Sequence, residues 1–139
     1  MLGIMELVED KNNNNFNTKK YSDRTIYFSN SNYIEPIVFH QDNISTFSIL
    51  KPESITIKDL QNYFASVNLV LIGTGEKNII LSQELIKHMH KINKGLEFMN
   101  TESACKTHNL LLSEKRSFVS ILYPSVSYTH LRAHETNSN

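Results

Sequence analysis

Gly73-Thr74-Gly75 follows Val67 to Ile72 directly, a run in which only Asn68 is polar. A tight glycine turn at the end of a buried strand is where backbone amides cradle phosphates. The dinucleotide pattern G-x-G-x-x-G would need a third glycine at position 78, which is Asn78. Lys77 lacks the upstream glycine spacing of a P-loop. Two readings stay open. Either the glycines supply a positive φ or a close backbone approach, or the loop contacts an anion or small ligand.

Cys105 is the lone cysteine, and His108 follows three residues later on what reads as the same helix. A thiol in the first turns of a helix is a candidate for a lowered pKa. A small buried cysteine is the structural alternative. His88 and His90 are two apart, so they point to different helix faces and cannot chelate as an i, i+4 pair would. His40 has no partner assignable from sequence. No nucleophile elbow and no marked carboxylate pair stands in the chain. The reading is no catalytic residue, no metal and no cofactor.

The elements that must position these residues are legible. Val67 to Ile72 predicts a strand covered on both faces. Ser82 caps a helix over Gln83 to Ile92, with Leu85, Met89 and Ile92 in one stripe and Gly95 closing it. Leu96 to Met99 reads as a strand. Thr101 reads as the cap of a helix running to about Leu112, with Ala104, His108 and Leu111 on one face. Ser117 to Leu122 reads as a last strand. Upstream, Thr56 or Ile57 to Ser66 predicts a helix, and Arg24 to Leu50 an antiparallel meander in which Pro36 marks an edge or a bulge. Strands alternating with helices imply right-handed crossovers. The fold class expected is α/β: a three-layer domain with a mixed, largely parallel central sheet, a β-α-β-α-β core and a small N-terminal antiparallel β layer.

The 139 residues suit one domain. Lys plus Arg and Asp plus Glu are equal at 14 each. A neutral chain carries no overall electrostatic footprint for nucleic acid or an anionic membrane. One cysteine precludes an internal disulfide and fits a reducing compartment. No apolar run approaches the ~18 residues that span a bilayer. The acidic start, with Glu6, Glu9 and Asp10, reads neither as a secretory signal nor as a transit peptide. Either Met1 or Met5 serves as initiator. Residues 1–22, with Asn12 to Asn15 in a row, are expected to be a flexible arm. Residues 23–125 are expected to form the single α/β domain. Val126 to Thr136, VSYTHLRAHET, looks like translated sequencing-library adapter, so residues 126–139 are expected to be an appended tail.

Three strings carry a family resemblance: LVLIGTGE (Leu69 to Glu76), NTESACKTHNLLLSEKR (Asn100 to Arg116) and SFVSILYP (Ser117 to Pro124). They resemble the domain of unknown function that includes mitochondrial respiratory complex I assembly factor 3 and its bacterial and archaeal relatives. Thr101, Ala104, Cys105, Thr107, Asn109 and Leu111 fit the family's T-x-x-A-C-x-T-x-N-x-L stretch. Glu114 and Arg116 fit a turn like EGR, but Lys115 stands where glycine is usual. The resemblance implies a three-layer α/β fold, no established enzymatic activity and action through protein partners. It points to a bacterial, cytoplasmic relative. A protein partner is expected, without nucleic acid or membrane insertion; the oligomeric state stays open.

Two functional readings follow. The first is a non-enzymatic protein-binding or assembly module. The second is a small-molecule or anion-binding protein, or a cryptic enzyme. Its site would lie at the Gly73–Gly75 loop and the Cys105 helix, from Gly73, Thr74, Gly75, Thr101, Cys105, Thr107 and Asn109.

Overall fold

The computed structural model describes residues 15–126. The stretch before residue 15, including Asn12 to Asn14 of the asparagine run, and all of the adapter-like string after Val126 lie outside the described residues. Among the described residues the elements follow in the order β1 Lys20–Ser22, β2 Thr25–Tyr27, β3 Asn32–Tyr33, β4 Ile37–His40, β5 Asn43–Thr46, α1 Ile57–Leu60, β6 Leu69–Gly73, α2 Gln83–Lys91, β7 Gly95–Met99, α3 Thr101–Ser113 and β8 Phe118–Leu122.

The central sheet has the order β5-β4-β8-β6-β7, and β1-β2-β3 form a separate sheet. β6 runs parallel to β7 and to β8, whereas β4 runs antiparallel to β5 and to β8. The expected mixed α/β architecture is therefore the one observed. The alternation along β6 explains why its sequence is apolar throughout. Val70 and Ile72 face a core with Leu85 and Met89 of α2 and Leu60 of α1. Leu69 and Leu71 face a second core with Ala104, Cys105 and Leu111 of α3 and Ile26 and Phe28 of the small sheet. A strand covered on both faces has no polar side.

Several local expectations change. The meander splits between two sheets, because Pro36 separates β3 from β4 and leaves β4 inside the central sheet. Pro36 still joins the ladder through its carbonyl, which accepts from the Phe47 amide at 2.9 Å. The helix expected to Ser66 stops at Leu60 and tightens into a 3-10 turn over Gln61–Tyr63. Residues 16–22 belong to the fold rather than to an arm. Lys20–Ser22 pairs with β2, and the Phe16 ring lies 5.5 Å from that of Phe39.

Gly95 does not close α2; it opens β7. The helix ends instead on Asn93 at φ 62°. Asn93 N–H donates to His90 O at 3.1 Å and Lys94 N–H to Met89 O at 3.0 Å. This pair of bonds is a Schellman motif. α3 ends in the same way. Lys115 sits at φ 57°, its N–H donates to Leu112 O at 3.0 Å, and Arg116 N–H donates to Leu111 O at 3.1 Å. Lys115 thus makes the turn that glycine makes without strain. A left-handed backbone disfavours an L-residue by about 1–2 kcal/mol, partly offset by glycine's greater unfolded-state entropy. Lys115→Gly is expected to stabilise the fold by about 0.5–1 kcal/mol in urea unfolding; a loss of stability would contradict this account of the turn.

Candidate functional site

The sequence brings four of its candidate residues to one place. Gly73 ends β6 and Thr101 begins α3, whose first turn packs on it. A Cβ at Gly73 would stand 2.8 Å from Ala104 Cβ and 3.0 Å from Thr101 Oγ1. Gly73 is therefore required for a close approach. Gly75 has φ 92°, the left-handed region glycine tolerates. Both structural roles of the glycine pair are realised, one at each glycine.

The amides of this loop are already engaged. Thr74 N–H donates to Met99 O at 2.8 Å, and Gly75 N–H donates to Thr101 Oγ1 at 2.7 Å. Thr101 N–H returns a bond to Gly75 O at 2.8 Å, and its hydroxyl donates to Tyr123 O at 2.6 Å. Thr74 is fully buried, and its hydroxyl donates to Lys77 O at 2.6 Å. The helix cap is Asn100, whose side chain accepts from Ser103 N–H at 2.9 Å. Thr101 is freed from the capping role expected of it and becomes a buried bridge. Ser125 and Val126 cover Gly75 from the outside.

Cys105 and Asn109 lie further along α3 and hold the N-terminal segment. Asn109 Oδ1 accepts from Thr18 N–H at 2.8 Å, and Asn109 Nδ2 donates to Thr18 O at 2.9 Å. The side-chain amide thus mimics a strand partner. The Thr18 hydroxyl donates to the Cys105 carbonyl at 3.3 Å. Thr107 lies apart, its hydroxyl 3.5 Å from Met99 Sδ.

Burial pushes the Cys105 thiol up to about 11 rather than down, so it is a thiol at neutral pH. His108 moves the opposite way. Burial lowers it to about 4, against a smaller raising effect from its bond to Phe16. Its Nε2 lies 2.8 Å from Phe16 O, which can only accept, so Nε2 carries the proton. The ring packs edge-on against Phe39, Phe28 and Phe118. An activated thiolate–imidazolium pair needs the reverse of both shifts.

Tyr123 and Thr18 escape a reading of residue types, whereas that reading places His108 on one helix face with Ala104 and Leu111. Tyr123 is fully buried, and its hydroxyl donates to Ile49 O at 2.6 Å. Its signal in sequence is a tyrosine at the end of an apolar strand. Thr18 offers none, because its partner is 91 residues away. No group of three or more His, Cys, Asp or Glu able to hold a metal ion occurs among the described residues.

An open cavity of about 290 Å³ lies at the other end of the sheet, against Val67 and Phe118 rather than Gly73 and Leu122. Phe39, His40, Leu112, Lys115 and Arg116 line it. His40 Nε2 lies 2.8 Å from Ser66 Oγ, and its ring packs on Tyr63.

A mixed five-stranded sheet with α3 clamped on the Gly73 turn defines the class of protein. Residues 18–123 match the family described as protein of unknown function (DUF498/DUF598), and the chain belongs to it. Over 126 residues it is 29% identical to the "13 kDa major membrane protein" of Francisella tularensis subsp. holarctica (strain LVS), covering 86% of this chain and 99% of that one. It is 26% identical over 89 residues to "NADH dehydrogenase [ubiquinone] 1 alpha subcomplex assembly factor 3" of Xenopus tropicalis. That match covers 64% of this chain and 48% of the assembly factor, so the chain spans about half the factor's length. The fold is shared with a Mth938-like domain of Bordetella pertussis, at TM-score 0.66 and 22% identity over 86% of this chain and 92% of that one.

Two outcomes test this geometry. Thr101→Val keeps the shape but removes the hydroxyl that bonds the buried Gly75 N–H and Tyr123 O. It is expected to destabilise by about 2–3 kcal/mol in urea unfolding, with Thr101→Ser much milder. His108 binds a proton more weakly when folded than its ordinary value of 6.5. The unfolded chain therefore takes up the proton first, and stability falls as pH drops from 6.5 towards about 4. The slope from this group approaches about 1.4 kcal/mol per pH unit, and unfolding free energies of His108→Phe across that window should lack it.

Proposed function

We propose that this chain is a non-enzymatic protein-binding module that helps assemble a membrane-bound respiratory complex. The similarity to a complex I assembly factor over 89 residues carries the reading. The site geometry supports it. The polar groups of the Gly73–Gly75 turn and of Thr101 bond one another or nearby backbone. The alternative, an anion or small-molecule site built on that loop and the Cys105 helix, finds the Thr74 and Gly75 amides engaged and the thiol protonated. Large apolar side chains stand exposed elsewhere, among them Ile34, Leu50, Ile80 and Leu110.

The chain acts from the bacterial cytoplasm in this reading and reaches the membrane through its partners. Among the described residues no helix is long and apolar enough to cross a membrane. The Francisella relative is named a membrane protein, and in this reading the present chain meets the membrane through its partners. Nucleic acid has no part in the reading.

A tagged chain expressed at native level and purified after gentle lysis should bring down subunits of respiratory complex I or its assembly intermediates. Recovery of the chain alone would count against the proposal. Leu110 is 56% exposed on α3, so Leu110→Glu should change stability by no more than about 0.5 kcal/mol. If the α3 surface carries the contact, the same variant loses the co-purifying subunits.

A further inference from the structure

We infer that the cavity between the C-terminal end of α3 and the β4–β5 turn binds a small organic carboxylate with an apolar body. The inference is independent of the assembly role. Open α/β sheets ordinarily bind ligands at the carboxyl ends of their parallel strands. Here Tyr123 to Val126 and the Thr101 bridge occupy that end, and the cavity opens at the amino-terminal ends of β6 and β8.

Its walls divide by chemistry. Phe39, Phe118 and Val67 are buried apolar residues, while Lys115 and Arg116 supply two cations. Neither cation is needed to close α3, because the backbone amides of Glu114, Lys115 and Arg116 already satisfy the carbonyls of Leu110, Leu112 and Leu111. Lys115 enters no ion pair among the described residues. Arg116 has only a 3.8 Å contact with Glu114, both side chains about half exposed, which a ligand carboxylate can replace at little cost. Asp42 also lines the cavity and sets its polarity: a carboxylate is driven towards the α3 side and away from the turn.

Two tight turns frame the cavity: Gln41 and Asp42 take positive φ as the central residues of the β4–β5 hairpin, and Lys115 takes it as the closing residue of α3.

The test uses the full chain, isotope-labelled, titrated with benzoate and separately with benzamide, its neutral isostere. Benzoate should give saturable amide shifts in Phe39–Asp42 and Lys115–Phe118 with a millimolar Kd, and benzamide should bind at least about fivefold more weakly. Lys115→Gly should weaken benzoate by about fivefold or more while the thermal midpoint holds or rises, so lost binding cannot be lost folding. Arg116→Gln should weaken it similarly. Equal binding of benzamide, undiminished binding in both variants, or no saturable shift in these amides up to about 20 mM benzoate would overturn the inference.

Discussion

One hydroxyl joins three ends of the chain. Thr101 Oγ1 accepts from the Gly75 amide and donates to the Tyr123 carbonyl, both in the dry interior. It thereby ties the loop after β6 and the strand end of β8 to the first turn of α3. The bond can form only because Gly73 has no side chain; a Cβ would meet Ala104 at 2.8 Å and push the helix off the sheet. Tyr123 N–H donates to Gly73 O at 2.9 Å and completes the closure. The parallel half of the sheet, the seat of α3 and the path of the chain beyond Leu122 all follow from this contact.

The far half of α3 is organised by the chain's own N-terminal segment. Asn109 offers Thr18 an acceptor and a donor, as a neighbouring strand would. Phe16 O accepts from Nε2 of His108, the buried histidine of that core, at 2.8 Å. Gly73, Gly75, Thr101, Ala104 and Asn109, which stand in the strings that resemble the family, therefore have inward roles. Their pattern specifies how a helix and two loops are clamped to a sheet, and fold by itself does not specify chemistry. That is why the strings that place the chain in its family name no reaction.

The same clamp relocates the place where a ligand can sit. Covering the carboxyl ends of β6 and β8 leaves the opposite end, where α3 stops on a left-handed Lys115 and β4 turns into β5 through Gln41 and Asp42. Lys115 closes the helix through its backbone N–H, so its side chain is free of that task. It adds a charge at a cavity.

Local pattern alone determined much of this protein. Unbroken apolar character marked β6 because both its faces are covered, and the Ser82 cap and the Leu85–Met89 stripe marked α2 because capping and helical periodicity are short-range effects. The glycine pair could be read as a turn because positive φ and close approach are properties of glycine itself. What only the tertiary structure decided depends on partners distant in sequence. Thr101 looked like a cap, yet Asn100 caps and Thr101 bridges, since its partners Gly75 and Tyr123 lie 26 and 22 residues away. The Cys105 thiol looked open to activation by the helix, yet burial against the sheet raises it to about 11, because desolvation outweighs the lowering effect of its contact with Thr18. Residues 16–22 looked like an extension of the polar arm, and they join the fold because Asn109, 91 residues beyond Thr18, supplies the bonds that a short strand cannot supply for itself.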